Sequence, residues 1–138
     1  VGGGGLLSGT ALAAAGAEPR PRVIGVEPAA ADDARRSLQE GRIVPAGDPR
    51  TVADGLRTAL GDLTFAILRR HAERIVAVSE DAIVAAMRLI WERMKIVVEL
   101  SSAVVLAALL ADEAGRRGRR VGLILSGGNV DLARLPWQ

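Results

Sequence analysis

Residues 74–81 have the sequence RIVAVSED, and this stretch decides the fold class. The largely apolar run from Arg74 to Val78 is typical of a short buried strand. Ser79 follows at once; its hydroxyl can cap a helix, and the acidic pair after it favours the positive end of that helix. A strand that passes directly into a helix is the repeating unit of a parallel sheet.

The same alternation continues outward from this stretch in both directions. Further strands are predicted over 22–26 and 121–125, and helices over 6–15, 32–40, 63–71 and 101–114, with mostly loop between 43 and 61. The helix that starts at Ser79 is predicted to include Lys95. Trp91 and Met94 are interpreted as core residues. Short apolar strands between helices predict an α/β fold with a mostly parallel sheet covered on both faces. In such folds ligands bind at the carboxyl ends of the strands.

Composition narrows the class of protein. The chain has 138 residues, enough for one domain, and no cysteine, which excludes disulfides and thiolate metal sites and fits a cytoplasmic protein. The formal charge is only +2, and no aromatic residues interleave with the four arginines between 116 and 120, so we expect no nucleic-acid partner. The longest apolar stretch, 100–111, is too short to cross a membrane.

Two glycine-rich loops carry the functional signal. Gly2, Gly3, Gly4 and Gly5 precede a helix, where bare backbone N–H groups can converge on a phosphate. A Rossmann fingerprint would need a third spaced glycine where Ser8 stands. A nucleotide- or NAD-binding domain, with Glu27 on a ribose, nevertheless stays open as an alternative.

The second loop follows the last predicted strand, in the sequence LILSGGN at 123–129. Ser126 is not a nucleophile elbow, because Ile124 occupies the position that requires glycine. The chain has one histidine, His71, which is interpreted as a surface helix residue, so a Ser-His-Asp triad is not expected.

Five segments, in order along the chain, carry a resemblance to a known family. They are VGGGGLLSG at 1–9, VEPAAADD at 26–33, VADG at 52–55, IWERMK at 90–95 and LSGGNVDL at 125–132. Together they resemble the serine racemase and threonine dehydratase branch of the fold-type II pyridoxal-phosphate enzymes. The resemblance implies a tryptophan synthase β-like, three-layer α/β/α fold.

The resemblance also implies a set of site residues. The glycine loop, Gly2 to Gly5 with the N–H of Leu6, would hold the phosphate of pyridoxal 5'-phosphate, and Ser126 would contact the pyridine nitrogen. A metal ion, Mg²⁺ or else Mn²⁺ or Ca²⁺, would be bound by Glu27, the carbonyl of Ala31 and Asp33. Asp54 would lie beside the active site, either orienting a ligand or capping a turn. Glu99 departs from the Glu-Pro pair that is common in the family.

On this resemblance, residues 1–138 are expected to be the C-terminal portion of the large catalytic domain. The N-terminal half, which carries the Schiff-base lysine, would be absent, since the one lysine, Lys95, lies in a predicted helix. The implied activity of the full-length enzyme is dehydration or racemisation of L-serine or L-threonine, in a cytoplasmic homodimer. The chain alone is expected to be inactive. A non-catalytic module or a degraded gene fragment remains a further alternative.

Overall fold

The computed structural model describes residues 1–112 and 120–138. Its elements, in chain order, are α1 (Gly5–Ala15), β1 (Ile24–Pro28), α2 (Asp33–Glu40), α3 (Asp62–His71), β2 (Arg74–Val78), α4 (Glu80–Met94) and α5 (Leu100–Leu110). Short 3₁₀ turns cover Ala29–Ala31 and Asp54–Leu56. The predicted elements before residue 112 are therefore confirmed in type, with boundaries that differ by a few residues.

The two strands pair in parallel, with Ile24 opposite Arg74 and Pro28 opposite Val78. Successive strand residues point to opposite faces of a sheet, and the two faces here carry separate cores. Val76 and Val78 belong to the core formed with α4 and α5. Ile75 belongs to the core on the other face, with Leu68 of α3. Helices therefore cover both faces, as the sequence predicted.

Helix α4 shows how the sequence sets this packing. The Ser79 hydroxyl caps the helix by accepting from the N–H of Ala82. Ile83, Met87 and Ile90, at spacings of three and four, are at most 1% exposed. Trp91 is partly buried beside this stripe, but Met94 is 56% exposed, so its assignment to the core was wrong.

The structure corrects the prediction at two helix ends. The helix α4 ends at Met94, and Lys95 is an exposed cap residue in the left-handed conformation (φ 59°) rather than an interior helix residue. The helix α5 ends at Leu110, because Asp112 adopts φ 59°, which breaks the helical path. The predicted end at Ala114 lies outside the described residues.

The predicted strand over 121–125 is not formed. Within the described residues the sheet contains only β1 and β2, and Val121 to Leu125 make no ladder hydrogen bonds. This segment and residues 24–26 of β1 line the same cavity, so no described strand lies alongside 121–125 to pair with it. An apolar run needs such a neighbour to become a strand.

Candidate functional site

A cavity of about 930 Å³ lies between the start of α1, the strand β1, the helix α5 and the segment after residue 120. Gly2, Gly4 and Leu6 of the first glycine loop line it, and so does Ser126 of the second loop. Two loops separated by more than a hundred residues of sequence therefore face one space.

The glycine loop presents the bare amino end of a helix. Gly4 is the cap residue of α1 in the left-handed conformation (φ 84°), and no side chain caps the helix. The first-turn N–H groups of a helix have no partner within the helix, and the macrodipole adds positive potential there. The end of α1 is therefore suited to an anion.

Close packing explains why glycine is needed in this loop. A Cβ on Gly4 would lie 2.7 Å from Leu60 Cδ2, and one on Gly2 would lie 3.0 Å from the carbonyl oxygen of Gly55. The Thr64 hydroxyl donates to the carbonyl of Gly3 at 2.8 Å, which fastens the loop to α3. Gly3 and Gly5 do not line the cavity themselves.

The second loop is anchored on the start of α5. The N–H of Ser126 donates to the Ser102 hydroxyl at 2.9 Å, and the N–H of Glu99 donates to the carbonyl of Gly127 at 3.0 Å. The Glu99 carboxylate accepts from the N–H of Asn129 at 3.0 Å. Glu99 thus holds the turn, and a Cβ on Gly127 would overlap its carboxylate.

Glu27, Ala31 and Asp33 are all buried at the carboxyl end of β1 and the start of α2. The Glu27 carboxylate accepts from the N–H groups of Ala34 at 3.2 Å and Arg35 at 2.8 Å. Burial raises the pKa of Glu27 to about 7; the nearby Asp33 carboxylate adds to the rise, and the two N–H groups and the N-terminal ammonium oppose part of it. Burial also raises the pKa of Asp33, and its Oδ2 is buried without a hydrogen-bond partner.

These contacts concern the predicted metal site and the nucleotide-binding alternative. An orphaned carboxylate oxygen beside a second buried carboxylate suits a hard cation. Residues 1–112 and 120–138 contain no group of three or more His, Asp or Glu side chains that could hold a metal, so this set depends on the carbonyl of Ala31 as its third ligand. Glu27 is only 1% exposed and bound to α2, so it is not available for a ribose as the nucleotide-binding alternative requires.

Asp54 and His71 lie outside the cavity lining. Asp54 is exposed, and its Oδ1 accepts from the N–H of Gly55, so the structure shows it in a turn. Leu56, two residues on, does line the cavity. His71 is half-buried at the end of α3.

Sequence reasoning missed the two serines that hold the loops. The Ser101 hydroxyl accepts from the N–H of Gly55 at 3.0 Å, and Ser102 binds Ser126 as described above. Both serines line the cavity. Their signal in the sequence was a pair of hydroxyls in the first turn of a helix that is otherwise apolar.

Comparison with known proteins decides the family. A family profile described as "Pyridoxal-phosphate dependent enzyme" matches residues 1–127. The chain belongs to this family of pyridoxal-phosphate-dependent enzymes. It is 49% identical over 137 residues to the beta-hydroxyaspartate dehydratase of Paracoccus denitrificans, covering 99% of this chain and 44% of that protein. It is also 49% identical over 139 residues to the serine racemase of Dictyostelium discoideum, covering 98% of this chain and 43% of the relative.

Solved structures of the family agree. The threonine deaminase of T.th. superposes with a TM-score of 0.89 at 52% identity, covering 95% of this chain and 48% of that one. Maize serine racemase superposes with a TM-score of 0.91 at 43% identity, covering 96% and 42% respectively. The chain therefore spans less than half the length of these relatives. Within the described residues no helix is both long and apolar enough to span a membrane.

The cavity fits the cofactor that the family implies. Its uncapped helix end suits a phosphate dianion. The Ser126 hydroxyl lies at the same cavity and has no hydrogen bond to any residue that the structure describes, so it can donate to a ring nitrogen.

Proposed function

We propose that the whole protein containing these residues is a pyridoxal-phosphate-dependent lyase or racemase of β-hydroxy amino acids, with L-serine and L-threonine as the first candidates. The observation that carries this proposal is the cavity shared by the glycine loop and Ser126. The names of the relatives, which include a hydroxyaspartate dehydratase, serine racemase and threonine deaminase, add 3-hydroxyaspartate as a candidate substrate.

In this proposal the chain contributes binding and orientation. The first-turn N–H groups of α1 and the backbone of Gly2 to Gly5, with Leu6, bind the phosphate through convergent donors. The Ser126 hydroxyl donates to the unprotonated pyridine nitrogen. When bound, pyridoxal phosphate supplies an electron sink for negative charge at the substrate α-carbon. A serine donor leaves that sink weaker than an aspartate would, which suits elimination of a β-hydroxyl as water, followed by hydrolysis to a 2-oxo acid and ammonia.

The experiment is an assay of the full-length protein with L-serine, L-threonine and 3-hydroxyaspartate, with L-alanine as the control that lacks a β-hydroxyl. Ammonia and 2-oxo acid, or the opposite enantiomer, are expected from at least one hydroxy amino acid. Ammonia release should be absent with alanine. A cofactor-loaded protein that converts none of the three, or one that binds nicotinamide nucleotides instead, would contradict the proposal.

We further propose that residues 1–138 are the C-terminal portion of the catalytic domain. The short coverage of the relatives supports this, as does the gap between β1 and residues 121–125, which has room for further chain. The one lysine, Lys95, is exposed at the end of α4 and outside the cavity lining, so the Schiff-base lysine is assigned to the rest of the protein. The chain alone should then be inactive, and the whole protein is proposed to be a cytoplasmic homodimer.

A metal site at Glu27, Ala31 and Asp33 is the second proposal. The buried unpartnered oxygen of Asp33 supports it, and so does the hard-oxygen character of all three donors. Mg²⁺ is expected to raise the melting temperature of the full-length protein, and more at pH 8 than at pH 6, because protons compete with the metal for Glu27.

The variants Glu27→Ala and Asp33→Ala should each abolish that rise. Asp32→Asn is the matched control, since Asp32 is adjacent but is ion-paired with Arg35 and Arg36. If Mg²⁺ raises the melting temperature of both alanine variants as much as that of the wild type, these residues do not bind the metal.

A further inference from the structure

The first turn of α5 holds the loop that carries Ser126. Ser102 is 1% exposed and lines the cavity, and its hydroxyl oxygen accepts from the N–H of Ser126 at 2.9 Å. Glu99, three residues earlier, bonds the next residues of the same turn, Gly127 and Asn129. The turn is therefore tied to the start of α5 through three of its residues.

Of these three hydrogen bonds, the one with Ser102 is made by Ser126 itself. The Ser126 residue is exposed at the cavity, and its own hydroxyl makes no hydrogen bond within the described part of the chain. Its orientation therefore depends on how its backbone is fixed. Within the described residues the preceding segment, 121–125, has no ladder bonds, and Leu125 packs against the core without a hydrogen bond to hold the turn.

We propose that Ser102 is a positioning residue for the cofactor ring: its buried hydroxyl fixes the backbone of Ser126 so that the Ser126 hydroxyl faces the pyridine nitrogen. This rests on the proposed function, in which Ser126 is the ring contact. Removing the Ser102 hydroxyl leaves the Ser126 N–H without its acceptor and lets the turn shift. The free energy of one such hydrogen bond corresponds to a factor of about three to ten, which is the expected loss in affinity for pyridoxal phosphate.

The test uses the full-length protein and four variants: Ser102→Ala, Ser126→Ala, the double variant, and Ser37→Ala as a matched control. Ser37 is also a buried helix serine whose hydroxyl accepts a loop N–H, that of Val44 at 2.9 Å, but it does not line the cavity. The readouts are the dissociation constant of pyridoxal phosphate, the position of the cofactor absorption band, and the melting temperature without cofactor.

Ser102→Ala is expected to weaken cofactor binding about three- to tenfold and to move the absorption band in the same direction as Ser126→Ala. Ser37→Ala should lower only the melting temperature. Because Ser102 acts through Ser126, adding Ser102→Ala to Ser126→Ala should weaken binding by less than about twofold. Ser102→Cys, which fills the site with a slightly larger group that is a weak acceptor, should reproduce the Ser102→Ala pattern if the alanine variant folds poorly.

Additive effects in the double variant, or an unchanged band in Ser102→Ala beside a shifted one in Ser126→Ala, would overturn this inference alone. If Ser126→Ala itself leaves the cofactor affinity and the absorption band unchanged, Ser126 does not contact the ring nitrogen. The proposed positioning role of Ser102 is then wrong as well.

Discussion

Gly4 shows how a single residue can serve both the fold and the site. Its positive φ of 84° begins α1, and the space beside it is filled by Leu60 and Thr64. Only a residue without a Cβ fits both conditions. Gly4 also lines the cavity, and no side chain caps the end of α1 that begins there.

Replacing Gly4 with alanine should therefore destabilise the protein and weaken cofactor binding. The left-handed conformation and the overlap with Leu60 together predict a loss of about 1–3 kcal/mol in the free energy of unfolding. Urea unfolding of the full-length protein measures it. Gly9→Ala is the control, because a Cβ there meets nothing within 4 Å and should stabilise α1 by about 0.5–1 kcal/mol. Equal stability of the two variants would contradict this account.

At the scale of elements, β1 and α2 are joined through one carboxylate. Glu27 at the end of the strand accepts from two N–H groups of the first turn of α2, because no side-chain cap is present there. The carboxylate is buried, and its pKa is raised to about 7 from the usual 4.5. The junction is therefore sensitive to pH.

The sign of that sensitivity follows from the two pKa values. Between pH 4.5 and 7 the folded state retains the Glu27 proton, whereas the unfolded state releases it. The contribution of this protonated carboxyl group to the free energy of unfolding is complete below pH 4.5 and is lost as the pH rises to 7. The pKa difference between the folded and unfolded states corresponds to about 3 kcal/mol.

In metal-free buffer, the variant Glu27→Gln should thus lose less stability than the wild type between pH 5 and 7.5. Urea unfolding at both pH values is the measurement, and Glu40→Gln, at an exposed carboxylate, is the control. Identical pH slopes in the wild type and Glu27→Gln would show that this junction does not titrate as described.

At the scale of the whole molecule, the chain leaves an apolar surface open. Val121, Leu123 and Ile124 are each at least 36% exposed and border the cavity beside β1. Exposed apolar surface of this kind marks a face that another segment or molecule contacts, and we expect the rest of the protein to cover it. The 138-residue chain alone should then bind an apolar dye such as anilinonaphthalene sulfonate much more strongly than the full-length protein. Equal dye binding would contradict the proposal that the rest of the protein covers this face.

The sequence predicted what depends on local patterning and missed what depends on neighbours. The strand at Arg74–Val78 and the cap at Ser79 follow from apolar runs and hydroxyl chemistry, which are local. The segment 121–125 has the same local pattern, but no strand that the structure describes pairs with it. Pairing is a property of the assembled sheet, which one segment cannot encode.

The same distinction holds for the site. The glycine loop and Ser126 could be identified from their residue types and from the family resemblance, and the structure brings both to one cavity. Ser101 and Ser102 could not, because a hydroxyl in a helix has many uses and only the fold shows which loop it meets. Their roles as loop anchors are therefore seen only from their hydrogen bonds to Gly55 and Ser126 in the structure.

A crystal structure of the full-length protein with pyridoxal phosphate tests the central claim most directly. The account predicts the phosphate within about 2.7–3.2 Å of the first-turn N–H groups of α1, and the pyridine nitrogen at a similar distance from Ser126 Oγ. Density for the cofactor away from this cavity, or with its ring nitrogen turned away from Ser126, would contradict it.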